Sequence, residues 1–327
     1  MNEAIKTREL ITLSGQSAPI QGTYHKPEDA KDGLGADGFA RKRVGVLFVN
    51  SLFLPRTATG DSSVYWAESF ANRGYPTFRV DLPGLGDSDA PLNTALLDFI
   101  NAGGYESIAG GIVDELVARF VLSGMVIVGH CAGSVTALFG ASASKQCRGV
   151  VLLDPYFFLP QQLKKSKAWK RLVRWGSESR FGGFLSNLYD RIKKIGLTVR
   201  GSRPPGNANV PLLKRWKEIA ATRELPVLLF KAPGRKTAGT KPRTGEFDYL
   251  QHILTVAGRR SRVTVQLIDG TDHSFANRIG RAAVRQHAEH WLCENFPIVR
   301  REDSERADAL AEARDQSVAR ENQAVCL

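Results

Sequence analysis

Met125-Val126-Ile127-Val128-Gly129-His130-Cys131-Ala132-Gly133-Ser134-Val135-Thr136-Ala137 is the stretch on which the reading of this 327-residue chain turns. A short apolar, β-branched run ends in Gly-x-Cys-x-Gly and passes into an alanine-rich segment suited to a helix. The pattern is strand, sharp turn, helix. A residue aimed off a strand tip into a helix start is held at strained, positive φ, and the backbone crowds it on both sides, so glycines at 129 and 133 leave the room it needs. The helix start also offers unsatisfied N–H groups and a positive dipole end, which favour an anion at Cys131. The competing reading is a small buried cysteine at a tight turn, because a free cysteine often packs as a small hydrophobe.

Moving outward, Val44–Val49 is a continuous apolar run of strand length, the pattern of a strand buried on both faces. Pro76–Asp81, Val150–Leu153, Pro226–Phe230 and Val263–Ile268 read as further strands. Helical segments stand between them: Val64–Ala71 with Tyr65, Trp66 and Phe70, Tyr105–Phe120 with Ile108, Ile112 and Leu116 at helical spacing, Phe247–Val256, and Gly280–Asn295. Residues 8 to 25 alternate apolar and polar positions and predict two antiparallel strands. Strands alternating with helices predict a mostly parallel sheet covered on both faces, with ligands beyond the carboxyl ends of the strands.

From Tyr156 to about Arg223 that alternation stops. Helical patches at Gln161–Trp175 and Gly182–Ile195 mix Lys164, Lys165, Lys167, Lys170, Arg171 and Arg174 with Trp169 and Trp175. The expected organisation is therefore a core in two parts, 1–155 and 224–298, an inserted helical lid at 156–223, and a charged tail at 299–327.

Composition narrows the class. With 43% hydrophobic and 24% charged residues the chain is an ordinary globular protein able to bury a large core. Its four cysteines, Cys131, Cys147, Cys293 and Cys326, form no CxxC pair and no cluster with histidine at zinc spacing, so neither a disulfide framework nor a metal or cofactor is expected. The first residues lack a signal-peptide pattern and no run of 18 apolar residues occurs, which sets the expectation of a reducing cytoplasm. A net charge of +12 invites a nucleic-acid partner, but no motif of that kind accompanies it, and much of the charge lies between Lys164 and Arg243.

Three separated motifs carry a family resemblance. Asp81-Leu82-Pro83-Gly84-Leu85-Gly86-Asp87-Ser88 resembles the loop after the fourth strand of α/β-hydrolases, Gly129–Gly133 their nucleophile elbow, and Asp269-Gly270-Thr271-Asp272-His273-Ser274-Phe275 the loop bearing their histidine. The resemblance covers roughly residues 8 to 296 and implies an α/β-hydrolase fold, a mostly parallel eight-stranded sheet with helices on both faces and an inserted lid. The thiol and the Asn50 loop with Arg56 are more similar to cysteine-nucleophile members, such as dienelactone hydrolases and hydrolase-like proteins of exosortase systems.

What the resemblance implies is a Cys-His-acid site. Cys131 is the expected nucleophile and His273 the base that takes the thiol proton. His130 is read as packing. The oxyanion hole is expected from the N–H groups of Leu52 and Ala132. Relatives usually carry the acid after the strand that here ends at Phe230, but Lys231-Ala232-Pro233-Gly234-Arg235-Lys236 follows it. Asp154, ending the preceding strand, is favoured, with Asp248 and Glu246 as alternatives. The expected chemistry is hydrolysis or acyl transfer on a carboxylic ester or thioester through a thioester acyl-enzyme; the alternative is a non-catalytic binding protein of the same fold. The basic lid suits a small or carrier-bound acyl substrate, anionic in character, or peripheral contact with an acidic membrane surface. Oligomeric state is left open.

Overall fold

The apolar runs become the strands of one sheet. The structure, a computed structural model, describes residues 8–15, 18–27, 43–91, 95–158, 207–232 and 249–298. In chain order the strands are β1 (Arg8–Leu13), β2 (Ile20–His25), β3 (Val44–Phe48), β4 (Thr77–Val80), β5 (Gly124–His130), β6 (Cys147–Leu153), β7 (Val227–Lys231) and β8 (Val263–Leu267). The helices are α1 (Ser62–Asn72), α2 (Leu96–Asn101), α3 (Glu106–Arg119), α4 (Ala132–Ala143), α5 (Val210–Lys217), α6 (Tyr249–Ala257) and α7 (Arg278–Asn295). The strands lie in the order β1-β2-β4-β3-β5-β6-β7-β8. β1 and β2 run antiparallel to their neighbours, and every pairing from β4 to β8 is parallel.

Period-two alternation sorts the core into two layers. Leu47, Ile127, Val150, Leu152 and Leu229 pack with Ile112 and Leu116 of α3, Val135 and Leu138 of α4, Trp216 of α5 and Ile253 of α6. Val46, Val126, Val128, Val151, Leu228 and Phe230 face the other way, onto Trp66 and Phe70 of α1 and Val284, Trp291 and Leu292 of α7. Burial on both faces explains why these strands read as unbroken apolar runs. Their carboxyl ends open on one rim, where β5 gives way to α4.

One helix, α2, is absent from the sequence reading, whereas α5 forms where the basic run Leu212–Ala221 reads as helical. α2 carries too few residues to show a period, and it forms because Leu96 and Ile100 are buried. The basic patch 212–221 belongs to α5, which Asn209 caps by accepting from the Leu212 N–H at 3.2 Å and which ends in a π-helical turn at Glu218–Thr222. Its cationic residues occupy one face; on the other Leu212 and Trp216 are buried, and Trp216 Nε1 donates to the Ile253 carbonyl at 2.8 Å. The two helical patches expected within 161–195, the loop after residue 232 and the tail from 299 lie outside the described residues.

Trp216, wholly enclosed and hydrogen-bonded to α6, makes α5 part of the core. Trp216→Ala is expected to lower unfolding stability by about 3–5 kcal/mol, read in urea as a lower midpoint with an unchanged slope.

Candidate active site

The β5–α4 turn is held by backbone contacts on every side. Cys131 lies at φ 52° and ψ −115°, a conformation that ordinary residues avoid. It persists because the Cys131 N–H donates to the Leu153 carbonyl at 2.9 Å and the Ser134 N–H to the Cys131 carbonyl at 3.0 Å, while Ser134 Oγ donates to the Gly129 carbonyl at 2.8 Å. The flanking glycines serve close approach. A Cβ on Gly129 would stand 2.2 Å from the Gly133 carbonyl oxygen, and one on Gly133 would stand 2.6 Å from that of Asn50. The strain is therefore carried by Cys131 and the room by its neighbours. Cys131 itself is partly exposed.

His273 sits in the loop after β8. Asp272 braces that loop by accepting from the Ser274 N–H at 2.9 Å and from Ser274 Oγ at 2.6 Å. Beneath it, Phe275 is buried at φ 51°. From the elbow side, His130 Nε2–H donates to the His273 carbonyl at 2.6 Å. Burial holds the His130 imidazole below its usual pKa, against the opposing effect of that hydrogen bond. The His273 ring then turns its Nδ1–H to Asp154 Oδ2, and Lys231 Nζ donates to the other oxygen, Oδ1.

The electrostatics follow from those contacts. Burial pushes the Asp154 carboxyl up, but the hydrogen bond from His273 and the Lys231 charge outweigh it and hold the group below the ordinary carboxylate range. His273 is pushed up to about 10, first by the hydrogen bond to Asp154 and then by the Cys131 thiol beside it, against the opposing effect of burial. The same imidazole thus answers to Asp154 on one side and Cys131 on the other.

The loop after β3 completes the rim. Leu52 takes φ 46° there, and the close packing of Gly133 on Asn50 brings the strand end beside the first turn of α4, where the Ala132 N–H has no intrahelical acceptor. Asn50 is locked in place: its Nδ2 donates to the Leu54 carbonyl at 3.0 Å and to Asp81 Oδ1 at 2.8 Å, and its Oδ1 accepts from the Leu82 N–H at 2.7 Å. Asp81, fully buried, also accepts from the Arg56 N–H at 2.7 Å and from the Asp87 N–H at 3.1 Å, and it pairs with the Arg56 guanidinium. Behind this loop lies a small cavity, about 20 Å³, walled by Asn50, Arg56, Ser62, Ser63, Trp66 and His130.

Of the residues singled out in the sequence, Cys131, His273 and Asp154 are brought together, and Leu52 and Ala132 lie on abutting segments. Asp248 and Glu246 fall outside the described residues. Three participants carried weaker signals. Lys231 stands where relatives place an acid; His130 was legible only as the elbow's second residue; Asp81 belonged to a recognised loop without any sign that it ties down Asn50. Among the described residues no group of three His, Cys, Asp or Glu side chains is placed to hold a metal ion, and no helix is long and apolar enough to cross a membrane.

The sheet order, the strained turn at Cys131 and the histidine loop after β8 define an α/β-hydrolase. The pattern of the alpha/beta hydrolase family matches residues 46–298, and the chain belongs to that family: it is a hydrolase. No curated protein matches it. Among solved structures it is similar to the esterase Pf2001 of Pyrococcus furiosus, with 13% identity, TM-score 0.56 and coverage of 89% of this chain and 92% of that one. It is also similar to DcsB in complex with its substrate analogue, with 14% identity, TM-score 0.56 and coverage of 88% and 100%. A membrane phospholipase A described as a bacterial virulence factor gives 13% identity, TM-score 0.54 and coverage of 88% and 87%. At these identities the likeness concerns the fold.

The raised His273 pKa has a signed consequence. Because the folded value, about 10, exceeds the ordinary 6.5, the bond to Asp154 contributes its full stability below about pH 6.5 and loses it as pH rises through about 10. The stability difference between wild type and Asp154→Asn is expected to shrink across that window in urea unfolding. In ¹⁵N-detected imidazole titrations, Asp154→Asn is expected to bring His273 back toward 6.5.

Proposed function

We propose that this hydrolase opens a carboxylic ester or thioester through Cys131, His273 and Asp154, by way of a thioester acyl-enzyme. The observation that carries the reading is the His273 imidazole, bonded through Nδ1 to Asp154 and drawn toward its protonated form by both Asp154 and the Cys131 thiol. Such a ring is a ready acceptor for the thiol proton at its remaining nitrogen, Nε2.

In the proposed reaction the Cys131 proton has already passed to His273, and the thiolate Sγ bonds to the acyl carbon. The carbonyl electron pair moves onto oxygen, where the N–H groups of Leu52 and Ala132 receive it. Collapse of that tetrahedral species breaks the bond to the leaving alkoxide or thiolate, which takes the proton from His273. Water then attacks the thioester, gives a proton to the imidazole, and Sγ departs; another acceptor in place of water makes the same step an acyl transfer. Asp154 keeps the proton on Nδ1 and the ring in line, as the acid of a Ser-His-Asp site does.

The cysteine at the elbow supports the cysteine-nucleophile branch of the family. The density of lysine and arginine between Lys164 and Arg243 supports an anionic acyl donor, such as a coenzyme A thioester or an acyl group on a phosphopantetheine carrier, over a neutral one. Cysteine chemistry of this kind suits a reducing compartment.

Alkylation tests the thiol as the nucleophile. Iodoacetamide at pH 7 is expected to modify Cys131 faster than exposed Cys293, and far faster than Cys147, whose thiol burial pushes up to about 11. Cys131→Ala is expected to lower hydrolysis of aryl and coenzyme A esters by at least about a thousandfold. Equal alkylation of Cys131 and Cys293, with undiminished hydrolysis by Cys131→Ala, sinks the proposal.

A further inference from the structure

Cys131 and His273 come from segments that share no strand pairing. The elbow follows β5, whereas the histidine loop follows β8 at the sheet's edge, with β6 and β7 between them. Something other than the ladder must set the gap between thiol and imidazole. Asp154 holds the imidazole at Nδ1 and leaves the backbone behind it free to pivot about that atom.

The backbone of His273 is fixed by a different residue. Its carbonyl accepts from His130 Nε2–H at 2.6 Å, and among the described residues this is the one hydrogen bond that the His273 backbone makes. A carbonyl has no proton to give, so Nε2 is the donor. The donor ring is itself held: it lies 5.0 Å from the His273 ring and stands edge-on to buried Phe275 at 6.2 Å. The Phe275 N–H in turn donates to the Asp272 carbonyl at 3.1 Å, which keeps the loop folded beneath the two imidazoles.

Traced from residue to residue, these contacts close a circuit around the thiol. A peptide bond joins His130 to Cys131, and the Cys131 N–H donates to the Leu153 carbonyl at 2.9 Å. A second peptide bond joins Leu153 to Asp154, whose Oδ2 accepts from His273 Nδ1. The His273 carbonyl then returns the path to His130. The peptide links cannot open, and the bond from Cys131 to Leu153 continues the parallel pairing of β5 with β6. Removing the His130 donor leaves the base tied to the elbow through Asp154 alone.

We infer that His130 is a positioning residue for the reaction at Cys131: its Nε2–H, bonded to the His273 carbonyl, sets the reach of the base to the thiol. The inference rests on the proposed ester or thioester reaction. His130 carries no proton of that reaction, so its effect passes through His273 and falls on turnover rather than on substrate binding. Small displacements of a reacting group are costly, about a hundredfold in rate for about 1 Å.

Two substitutions in the full-length protein separate the donor from the ring. His130→Phe keeps an aromatic ring against Phe275 and removes the N–H, whereas His130→Gln removes the ring and returns an amide N–H at the place of Nε2. With 4-nitrophenyl butyrate, His130→Phe is expected to lower kcat by about ten- to a hundredfold with KM within about twofold of wild type. His130→Gln is expected to recover most of that loss. His130→Asn, whose amide falls short of the carbonyl, takes the place of His130→Phe if the latter does not fold. A raised KM with unchanged kcat, or His130→Gln no faster than the variant without a donor, overturns the inference.

The second measurement needs no turnover. Iodoacetamide alkylation of Cys131 at pH 7 is followed in a double-mutant cycle with His273→Ala. Loss of the His130 donor is expected to slow alkylation by about tenfold when His273 is present and by less than about twofold when it is absent. Equal slowing in both backgrounds shows that His130 acts on the elbow itself, as a packing residue does, and overturns the inference. Failure of the cysteine reading shows separately, as equal alkylation of Cys131 and Cys293 in the wild type with hydrolysis undiminished by Cys131→Ala.

Discussion

The close approach of α4 to the end of β3 is the constraint on which the site depends. Phe48 pairs with Val128 in parallel register, the Val49 N–H still reaches the Val128 carbonyl at 3.1 Å, and the two chains then part around Gly133 and Asn50. With a side chain at 133 the gap would close on backbone and could not be relieved by a rotamer change. Because the gap stays narrow, the Leu52 loop and the first N–H of α4 share one rim, and Cys131 is forced into its strained turn at that rim. The energy stored there is of the order of 1–3 kcal/mol for a non-glycine residue at such angles, small enough for the packed sheet to carry.

Two buried carboxylates hold the parts that the strands alone would leave free. Asp81 receives Asn50, Arg56 and the Asp87 N–H, so it joins the loops after β3 and β4. Arg56 extends the tie to β2 by donating from Nε to Thr23 Oγ1 at 3.0 Å, and Arg79 Nη1 donates to the Arg56 carbonyl at 3.1 Å. Next to it His25, pushed down to about 3 by burial and by Arg79, accepts from Arg79 Nε at 2.9 Å as a neutral ring. Asp154 does the corresponding work on the other side of the elbow, joining the end of β7 at Lys231 to the loop after β8. A buried carboxylate survives only where charge and hydrogen bonds together offset its lost hydration, and both meet that condition. Their cost of burial is what makes these loops definite.

Much of this was legible in residue pattern. Strands buried on both faces must be apolar throughout, so Val44–Val49, Met125–Val128 and Pro226–Phe230 announced themselves, and the elbow glycines marked the turn that positions Cys131. What escaped was whatever depends on contacts distant in sequence. α2 is too short to show a period. The basic stretch around Trp216 looks like a solvated helix until α6 supplies the carbonyl that its indole needs. His130, read as packing, is a donor to a loop 143 residues away. Asp154 could be favoured from its strand-end position, but nothing local distinguished it from Asp248 or Glu246, because the criterion is reach to His273, a property of the folded sheet.

Lys231 stands beside the carboxylate that meets His273. β6 and β7 are neighbours, with Leu153 opposite Phe230, so the residues that follow them, Asp154 and Lys231, emerge side by side. Lys231, the last residue of β7, brings its ammonium to Asp154 Oδ1. Its side chain is 42% exposed, so solvent screens part of its charge, whereas the Asp154 side chain is only 10% exposed. The less exposed charge governs His273, and the more exposed one keeps the carboxylate ionised without cancelling its pull. When the Cys131 proton rests on His273, the proposed row of thiolate, imidazolium, carboxylate and ammonium alternates in sign along its whole length. A hydroxyl nucleophile gives up its proton far less readily than a thiol and would not supply the first anion of that row at rest. The cation that ends β7 is thus consistent in charge with the thiol at the elbow.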